Sequence, residues 1–166
     1  MTSIDWSGIL ILLFLLGTAN LLPILARTVF GDHFALPIDL GRLKWFDGRD
    51  LFGPHKTWRG FVFSTAGTAA AASLTPFGAA TGAKIALLSL TGDLFSSFLK
   101  RRLRLRSGAF APGLDQGVEA LLPLWVLKED LAINWAEICI VTAFFAICEL
   151  AVSPILYRLG IRRNPY

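Results

Sequence analysis

Long apolar runs separated by polar segments dominate the pattern along this chain. The runs cover residues 8–26, 61–80, 83–99, 114–127 and 135–157. A helix rises about 1.5 Å per residue and needs about 20 residues to cross a bilayer, so these runs predict transmembrane helices. The polar segments between them contain repeated Gly, Pro and Asp residues, which predict loops.

The run at 114–127 is the shortest and contains Pro123, so on length alone it could be a re-entrant segment. The positions of the basic residues favour a crossing. With five crossings, every Lys and Arg except Lys84 and Lys128 lies on one side of the membrane, and cytoplasmic loops are enriched in these residues. We therefore predict an all-α integral membrane protein with five transmembrane helices, the N-terminus outside, the C-terminus cytoplasmic and two large cytoplasmic loops.

The composition agrees with a membrane protein. The 166 residues suffice for a single membrane-embedded domain, 1–166, and the chain is 54% hydrophobic but only 17% charged, which excludes an ordinary soluble domain. The net charge is +4, and the basic residues gather beside the apolar runs. This placement favours anionic lipid or a nucleotide triphosphate as a partner over nucleic acid. We expect the protein in the cell (inner or plasma) membrane.

The segment from 91 to 116 contains the first candidate chemistry. Asp93 lies within an apolar run, and Ser97, Lys100 and Arg104 follow at helical spacing, so the four residues predict one stripe on a helix. An ionisable residue inside a transmembrane segment is costly and usually functional. The alternative is a helix whose basic end reaches the membrane surface and whose aspartate pairs with a neighbour.

Asp115 follows a Gly/Pro-containing loop that can turn it back towards the helix of Asp93. Magnesium binds through one or two carboxylates together with substrate phosphates. The two aspartates therefore predict a magnesium site. Asp115 could also be the N-cap of the fourth helix.

A second candidate segment, 50–60, precedes the second helix. Backbone N–H groups at a helix N-terminus, one hydroxyl and two cations predict a triphosphate-binding site formed by His55, Lys56, Thr57 and Arg59. His55 could instead be a hydrogen-bonded surface residue.

Three further polar or helix-breaking residues lie within the first and last apolar runs. Asn20 and Pro23 predict either a kink with an interhelical hydrogen bond or a role in lining the site. Glu149, in the last run, could pair with an interior cation or line the site.

Several motifs together resemble a known family. The sequence GDLFSSFLKRR at 92–102, followed by PGLDQ at 112–116, resembles the signature of the CDP-diacylglycerol synthase superfamily of membrane cytidylyltransferases. The smaller CDP-archaeol synthase family is more similar, and the similarity extends in order over nearly the whole chain. Its further motifs are Asn20 and Pro23, PIDLGR at 37–42, DGRDLFGPHKTWRG at 47–60, and RLGIRRNPY at 158–166.

This resemblance implies a five-helix membrane enzyme with its active site at the cytoplasmic surface. It would use Mg²⁺ and CTP to convert a lipid phosphate, similar to archaetidic acid (a 2,3-di-O-alkylglycerol phosphate), to a CDP-lipid and pyrophosphate. By position, Asp93 and Asp115 are the implied metal ligands and, with Lys100, the catalytic residues. The implied nucleotide- or phosphate-binding residues are His55, Lys56, Thr57, Arg59, Ser97 and Arg101.

One position departs from the superfamily pattern. Val118 stands where a further acidic residue is usual, and Glu119 follows it. Glu119 could replace the missing metal ligand, since one position along a helix turns a side chain by about 100°. Two other functions stay open: the same reaction on phosphatidic acid, and a non-enzymatic protein that binds anionic lipid.

Overall fold

A computed structural model describes residues 4–105, 111 and 113–161, and it confirms an all-helical protein. Within these residues there is no strand, only two isolated β-bridges. The basic residues Arg106, Arg162 and Arg163, and Pro112, lie outside the described residues. The five helices are α1 (Trp6–Phe30), α2 (Trp58–Ala72), α3 (Gly78–Arg102), α4 (Leu114–Val126) and α5 (Trp135–Arg158).

Successive helices run in opposite directions. Ser64 of α2 donates a hydrogen bond to the carbonyl oxygen of Ala19 at 2.7 Å, and Lys100 of α3 pairs with Asp115 near the start of α4. The bundle therefore has two distinct ends. The loop end contains the segment 31–57, the end of α3 and the start of α4, whereas the far end contains the N-termini of α1 and α5.

The buried core is apolar and lies between α1, α3, α4 and α5. Leu12, Ile85, Leu124 and Val141 are fully buried in it. Many outward-facing side chains are also apolar, as expected where helices contact lipid. By length and composition, α1 and α5 are apolar enough to cross a membrane, with mean hydropathies of 2.5 and 2.2.

The boundary between the second and third helices differs from the prediction. The apolar run 61–80 is not one helix, because α2 ends at Ala72 and α3 already begins at Gly78. The connecting turn is stabilised by Thr75, whose Oγ1 accepts a hydrogen bond from the N–H of Phe77 at 3.3 Å. The turn residues 73–77 mix polar Ser73 and Thr75 with apolar Leu74 and Phe77, and Pro76 is the helix-breaking signal that the apolar pattern does not show.

Asn20 forms an interhelical hydrogen bond, one of the two predicted alternatives. Its Nδ2 donates to Oγ of Ser89 on α3 at 3.3 Å and to the carbonyl oxygen of Leu16 at 3.0 Å. Pro23 lies within α1. The Asn20 contact links α1 to α3 in the interior of the bundle, where an unpaired amide would be costly.

Candidate active site

The segment 31–57 folds around a buried carboxylate. Asp39 is only 2% exposed, and its oxygens accept hydrogen bonds from the N–H groups of Gly41 (3.1 Å), Phe52 (3.3 Å) and Gly53 (3.0 Å). Asp39 is absent from the sequence-based predictions, although an aspartate two residues before a glycine is a known turn signal. This side chain joins the two halves of the segment into one folded unit.

The same folding directs Lys56 into the bundle. Pro37 and Thr57 form an antiparallel bridge, and the N–H of Ile38 donates to the carbonyl oxygen of Lys56 at 2.8 Å. Both carboxylate oxygens of Asp93 accept hydrogen bonds from Nζ of Lys56. Lys56 is a predicted nucleotide-binding residue, and in the structure its ammonium group pairs with Asp93, the principal candidate carboxylate.

A close approach of two helices brings a second carboxylate to Asp93. A Cβ atom on Gly92 would lie 2.7 Å from the carbonyl oxygen of Val118 and 3.2 Å from Cα of Glu119, so α3 and α4 are in contact at this glycine. The carboxyl group of Glu119 consequently lies against that of Asp93. Glu119 is 5% exposed. Glu119, the proposed replacement for the acidic residue that is missing at position 118, thus lies beside Asp93.

A second ion pair lies two helical turns further along α3. Nζ of Lys100 is 2.8 Å from Oδ1 and 2.9 Å from Oδ2 of Asp115. The Lys100 side chain is 9% exposed, and that of Asp115 is 16% exposed. The positive end of the helix dipole favours a carboxylate in the first turn of α4, where Asp115 lies.

The alternative in which Asp115 caps α4 is wrong. The N-cap is Gly113, whose φ of 81° is in the left-handed region that glycine tolerates. Its N–H donates to Oε1 of Gln116 at 3.0 Å. The Asp115 side chain is therefore not used to cap the helix and faces Lys100.

The two ion pairs and Glu119 form one group, the carboxylate–lysine cluster: Asp93, Asp115, Glu119, Lys56 and Lys100. Burial alone would lower the pKa of the Lys56 ammonium, but the charges of Asp93, Glu119 and Asp115 outweigh it and hold the pKa above its ordinary value. Lys56 is therefore positively charged at neutral pH. The cluster combines two lysine cations with three carboxylates, and phosphate binding uses cations while metal binding uses carboxylates.

Two other predicted nucleotide-binding residues make structural contacts. Oγ1 of Thr57 accepts a hydrogen bond from the N–H of Gly60 at 3.2 Å and caps α2. The guanidinium of Arg59 donates to the carbonyl oxygens of Gly31 (3.0 Å) and His33, which joins the end of α1 to the start of α2. Their direct roles in nucleotide binding stay predictions.

The remaining predicted residues are spread over the loop end. His55 is exposed in a turn, whereas Ser97 is buried on α3 between the two ion pairs. Arg101 is 8% exposed and lines a cavity of about 360 Å³, open to the surface, with Arg49 and Arg104. The predicted helical stripe is wrong at Arg104, because α3 ends at Arg102 and the chain then turns.

The cluster suits a hard cation in its chemistry. Its carboxylate oxygens are ligands that magnesium prefers, and magnesium usually takes only one or two carboxylates besides phosphates and waters. Among the described residues, no group of three or more His, Cys, Asp or Glu side chains is already arranged to hold a metal. Asp93, Asp115 and Glu119 are thus candidate metal ligands. In this structure Asp93 is paired with Lys56 and Asp115 with Lys100, and Glu119 lies against Asp93.

These features define a helical membrane protein with a buried, charged site at one end of its bundle. A family model described as "CarS-like: CDP-archaeol synthase" matches residues 77–166. The chain is 31% identical to the CDP-archaeol synthase of Pyrococcus horikoshii and 35% identical to that of Thermococcus gammatolerans, each over 141 residues that cover 78% of this chain and 82% of the relative.

A solved structure is also similar. It is described as an intramembrane enzyme for archaeal membrane lipids biosynthesis, and it superposes with a TM-score of 0.64 at 30% identity, over 84% of this chain and 90% of that one. The chain belongs to the CDP-archaeol synthase family. The resemblance found in the sequence motifs is confirmed.

Proposed function

We propose that this protein transfers a cytidylyl group from CTP to a membrane lipid phosphate of the archaetidic-acid type, a 2,3-di-O-alkylglycerol phosphate. The products are a CDP-lipid of the CDP-archaeol type and pyrophosphate. Membership of the CDP-archaeol synthase family supports this activity. The carboxylate–lysine cluster is the structural observation that carries it, since it joins anion-binding and metal-binding groups beside a membrane bundle.

The proposed reaction is an in-line displacement at the α-phosphorus of CTP. An oxygen of the lipid phosphate forms the new bond to phosphorus while the bond to the pyrophosphate oxygen breaks. This nucleophile is already an anion, so no proton has to be removed. The main difficulty is repulsion between the two phosphate groups, which preorganised cations reduce.

Lys56 and Lys100 are the proposed cations for this task. Each ammonium group now donates to a carboxylate, Lys56 to Asp93 and Lys100 to Asp115. A lysine side chain is flexible and can move its Nζ from a carboxylate to a phosphate oxygen without any change in the backbone. The cluster would then exchange internal ion pairs for contacts with substrate.

Magnesium is the proposed cofactor, held by Asp93 and Asp115, with Glu119 as a further candidate ligand. When bound, it would neutralise charge on the phosphate oxygens and orient them. The close contact of α3 and α4 at Gly92 supports this assignment, because it draws carboxylates of two helices together. Chelation of divalent cations is expected to abolish turnover, and added Mg²⁺ to restore it.

The proposed topology has five membrane crossings, with the loop end in the cytoplasm, where CTP is available. The concentration of basic residues at the loop end supports this orientation. Labelling single cysteines introduced at exposed His55 and at Ala132 of the far end tests it. Reagent added from the cytoplasmic side should label position 55 but not position 132.

The decisive test of function is an assay of purified protein with CTP, Mg²⁺ and a panel of lipid phosphates. We expect CDP-lipid to form fastest from the 2,3-di-O-alkylglycerol phosphate. Faster conversion of a diacyl phosphatidic acid would favour the alternative substrate. Failure to bind CTP or to convert any lipid would favour a non-enzymatic protein that binds anionic lipid.

A further inference from the structure

The C-terminus of α3 has an unusual residue at a position that favours glycine. The N–H of Leu105 donates to the carbonyl oxygen of Lys100 at 3.0 Å, and that of Arg104 donates to the carbonyl oxygen of Arg101 at 3.3 Å. This pair of bonds is a Schellman motif, in which the residue after the cap is left-handed. Here that residue is Arg104, with a φ of 63°.

The end of α5 provides an internal comparison. The N–H of Ile161 donates to the carbonyl oxygen of Leu156 at 2.9 Å, and that of Gly160 donates to the carbonyl oxygen of Tyr157 at 3.0 Å. This is the same motif, with Gly160 at a φ of 72°. The local sequences are RLGI at 158–161 and RLRL at 102–105.

Arginine at this position is strained where glycine is not, because its Cβ approaches a carbonyl oxygen in the left-handed conformation. The chain tolerates glycine in the same motif at α5. Strain of this kind concentrates at functional sites. Ala132 occupies the same motif at the far end with a φ of 52°, so the strain at Arg104 supports a function only together with the charged residues around it.

Arg104 lines the cavity of about 360 Å³ at the loop end. Arg49 and Arg101 line the same cavity, together with Asp50 and Leu105. Three arginines and one aspartate thus line this cavity, which has an excess of positive charge. A guanidinium presents paired N–H donors that match the oxygens of a phosphate group.

The walls of this cavity are fixed by contacts between the loop and α3. Arg49 donates through Nη1 to the carbonyl oxygen of Arg101 at 3.3 Å. Arg102 forms an ion pair with Asp47 at 2.7 Å and donates to the carbonyl oxygen of Asp50 at 2.7 Å. The cavity therefore lies between two docked elements, the loop and the end of α3.

We propose that this arginine cavity is a phosphate-binding site distinct from the carboxylate–lysine cluster, and that Arg104 is one of its binding residues. The proposal rests on the proposed function for the origin of the phosphate, which belongs either to CTP or to the lipid headgroup. Lys100 and Arg101 are neighbours on α3 and point about 100° apart, so the two sites flank the end of one helix. A reaction between two phosphorylated substrates requires two such regions.

Arg104→Gly is the informative variant, because it removes the strain and the guanidinium together. We expect its melting temperature to equal or exceed that of the wild-type protein. The KM for one substrate should rise about tenfold or more, while kcat changes less. Arg104→Lys should retain part of the affinity. Ala132→Gly is the matched control, since Ala132 is also left-handed (φ 52°) but lies at the far end. It should gain stability with both KM values unchanged.

The two phosphate sources are distinguished by the substrate that is affected. A higher KM for CTP, with weaker binding of inorganic pyrophosphate, assigns the cavity to the triphosphate. A higher KM for lipid phosphate, with weaker binding to vesicles containing the dialkylglycerol phosphate, assigns it to the headgroup. If Arg104→Gly changes none of these quantities, the proposal is wrong. Absence of turnover in the wild-type protein would instead contradict the proposed function. The two binding measurements would still show whether the cavity binds phosphate.

Discussion

Both ends of the bundle bury carboxylates, but they hold them with different partners. At the far end, Glu137 accepts hydrogen bonds from the N–H groups of Asp5 and Asn134, each at 2.8 Å. At the loop end, Asp93 and Asp115 accept hydrogen bonds from lysine side chains. A backbone amide cannot leave its carboxylate unless the chain unfolds locally, whereas a lysine can turn to another anion.

Burial therefore does not by itself identify a functional carboxylate in this protein. Asp39 lies at the loop end, yet its backbone partners make it similar to Glu137 of the far end. The nature of the partner separates the structural carboxylates from the candidate active-site ones. Substitutions at the two kinds of site should accordingly have different effects on activity and stability.

The largest expected effect is that of Asp93→Asn on turnover. The substitution keeps the size of the side chain but removes the charge that Lys56 and a bound metal require. We expect kcat to fall about 100-fold or more, measured as CDP-lipid formed from CTP by protein purified in detergent.

Asp130→Asn is the control for this experiment, because Asp130 is half-exposed at the far end and pairs with Lys84. It should retain wild-type kcat. Full activity of Asp93→Asn would eliminate its proposed metal and catalytic roles.

The second prediction concerns the buried pair of Lys100 and Asp115. Lys100→Met leaves the Asp115 carboxylate without its cation, and removal of one partner of a buried pair costs about 3 kcal/mol or more. The double variant Lys100→Met/Asp115→Leu removes both charges and should recover most of that stability. Thermal melting in detergent measures these changes.

Activity should separate from stability in this series. The single and the double variant are both expected to lose most of their turnover, because neither retains the proposed phosphate-binding ammonium group. Recovery of turnover in the double variant would show that the pair is structural, like the carboxylates of the far end.

The sequence predicts the helices better than their ends. Five apolar runs correspond to five helices, since burial in the core or in lipid imposes the same hydrophobic pattern. The turn after Ala72 does not stand out from that pattern, because apolar residues lie on both sides of it and at Leu74 and Phe77 within it. Its signals are local: the hydroxyl of Thr75 and the left-handed φ of 75° at Gly78.

The candidate site is only partly predictable for a similar reason. Asp93 and Lys100 share a helix, so their spacing gives their common direction. The pairing of Lys56 with Asp93 joins positions 37 residues apart and depends on how the loop folds around Asp39. The orientation of Arg104 depends on a helix cap that the spacing of its neighbours does not reveal.

The third prediction tests the carboxylate of the far end. Glu137→Gln retains one accepting oxygen but places an NH₂ group against a backbone donor, so we expect a loss of stability of about 1–3 kcal/mol. Since the Glu137 carboxylate bonds to the chain just before α1 and α5, at the end of the bundle opposite the candidate site, kcat and KM per folded molecule should stay at wild-type values. A selective loss of turnover in fully folded protein would show that the far end takes part in the reaction.

The smallest expected effect is that of Lys84→Met. The pair of Lys84 with Asp130 has an N–O distance of 2.7 Å, close to the 2.8 Å of Lys100 with Asp115, but its side chains are 55% and 49% exposed. Water screens such a pair, and its contribution to stability is about 0.2–1 kcal/mol. The melting temperature of Lys84→Met should therefore differ little from wild type, in contrast to that of Lys100→Met. Equal losses in the two variants would mean that distance, and not burial, determines the strength of these ion pairs.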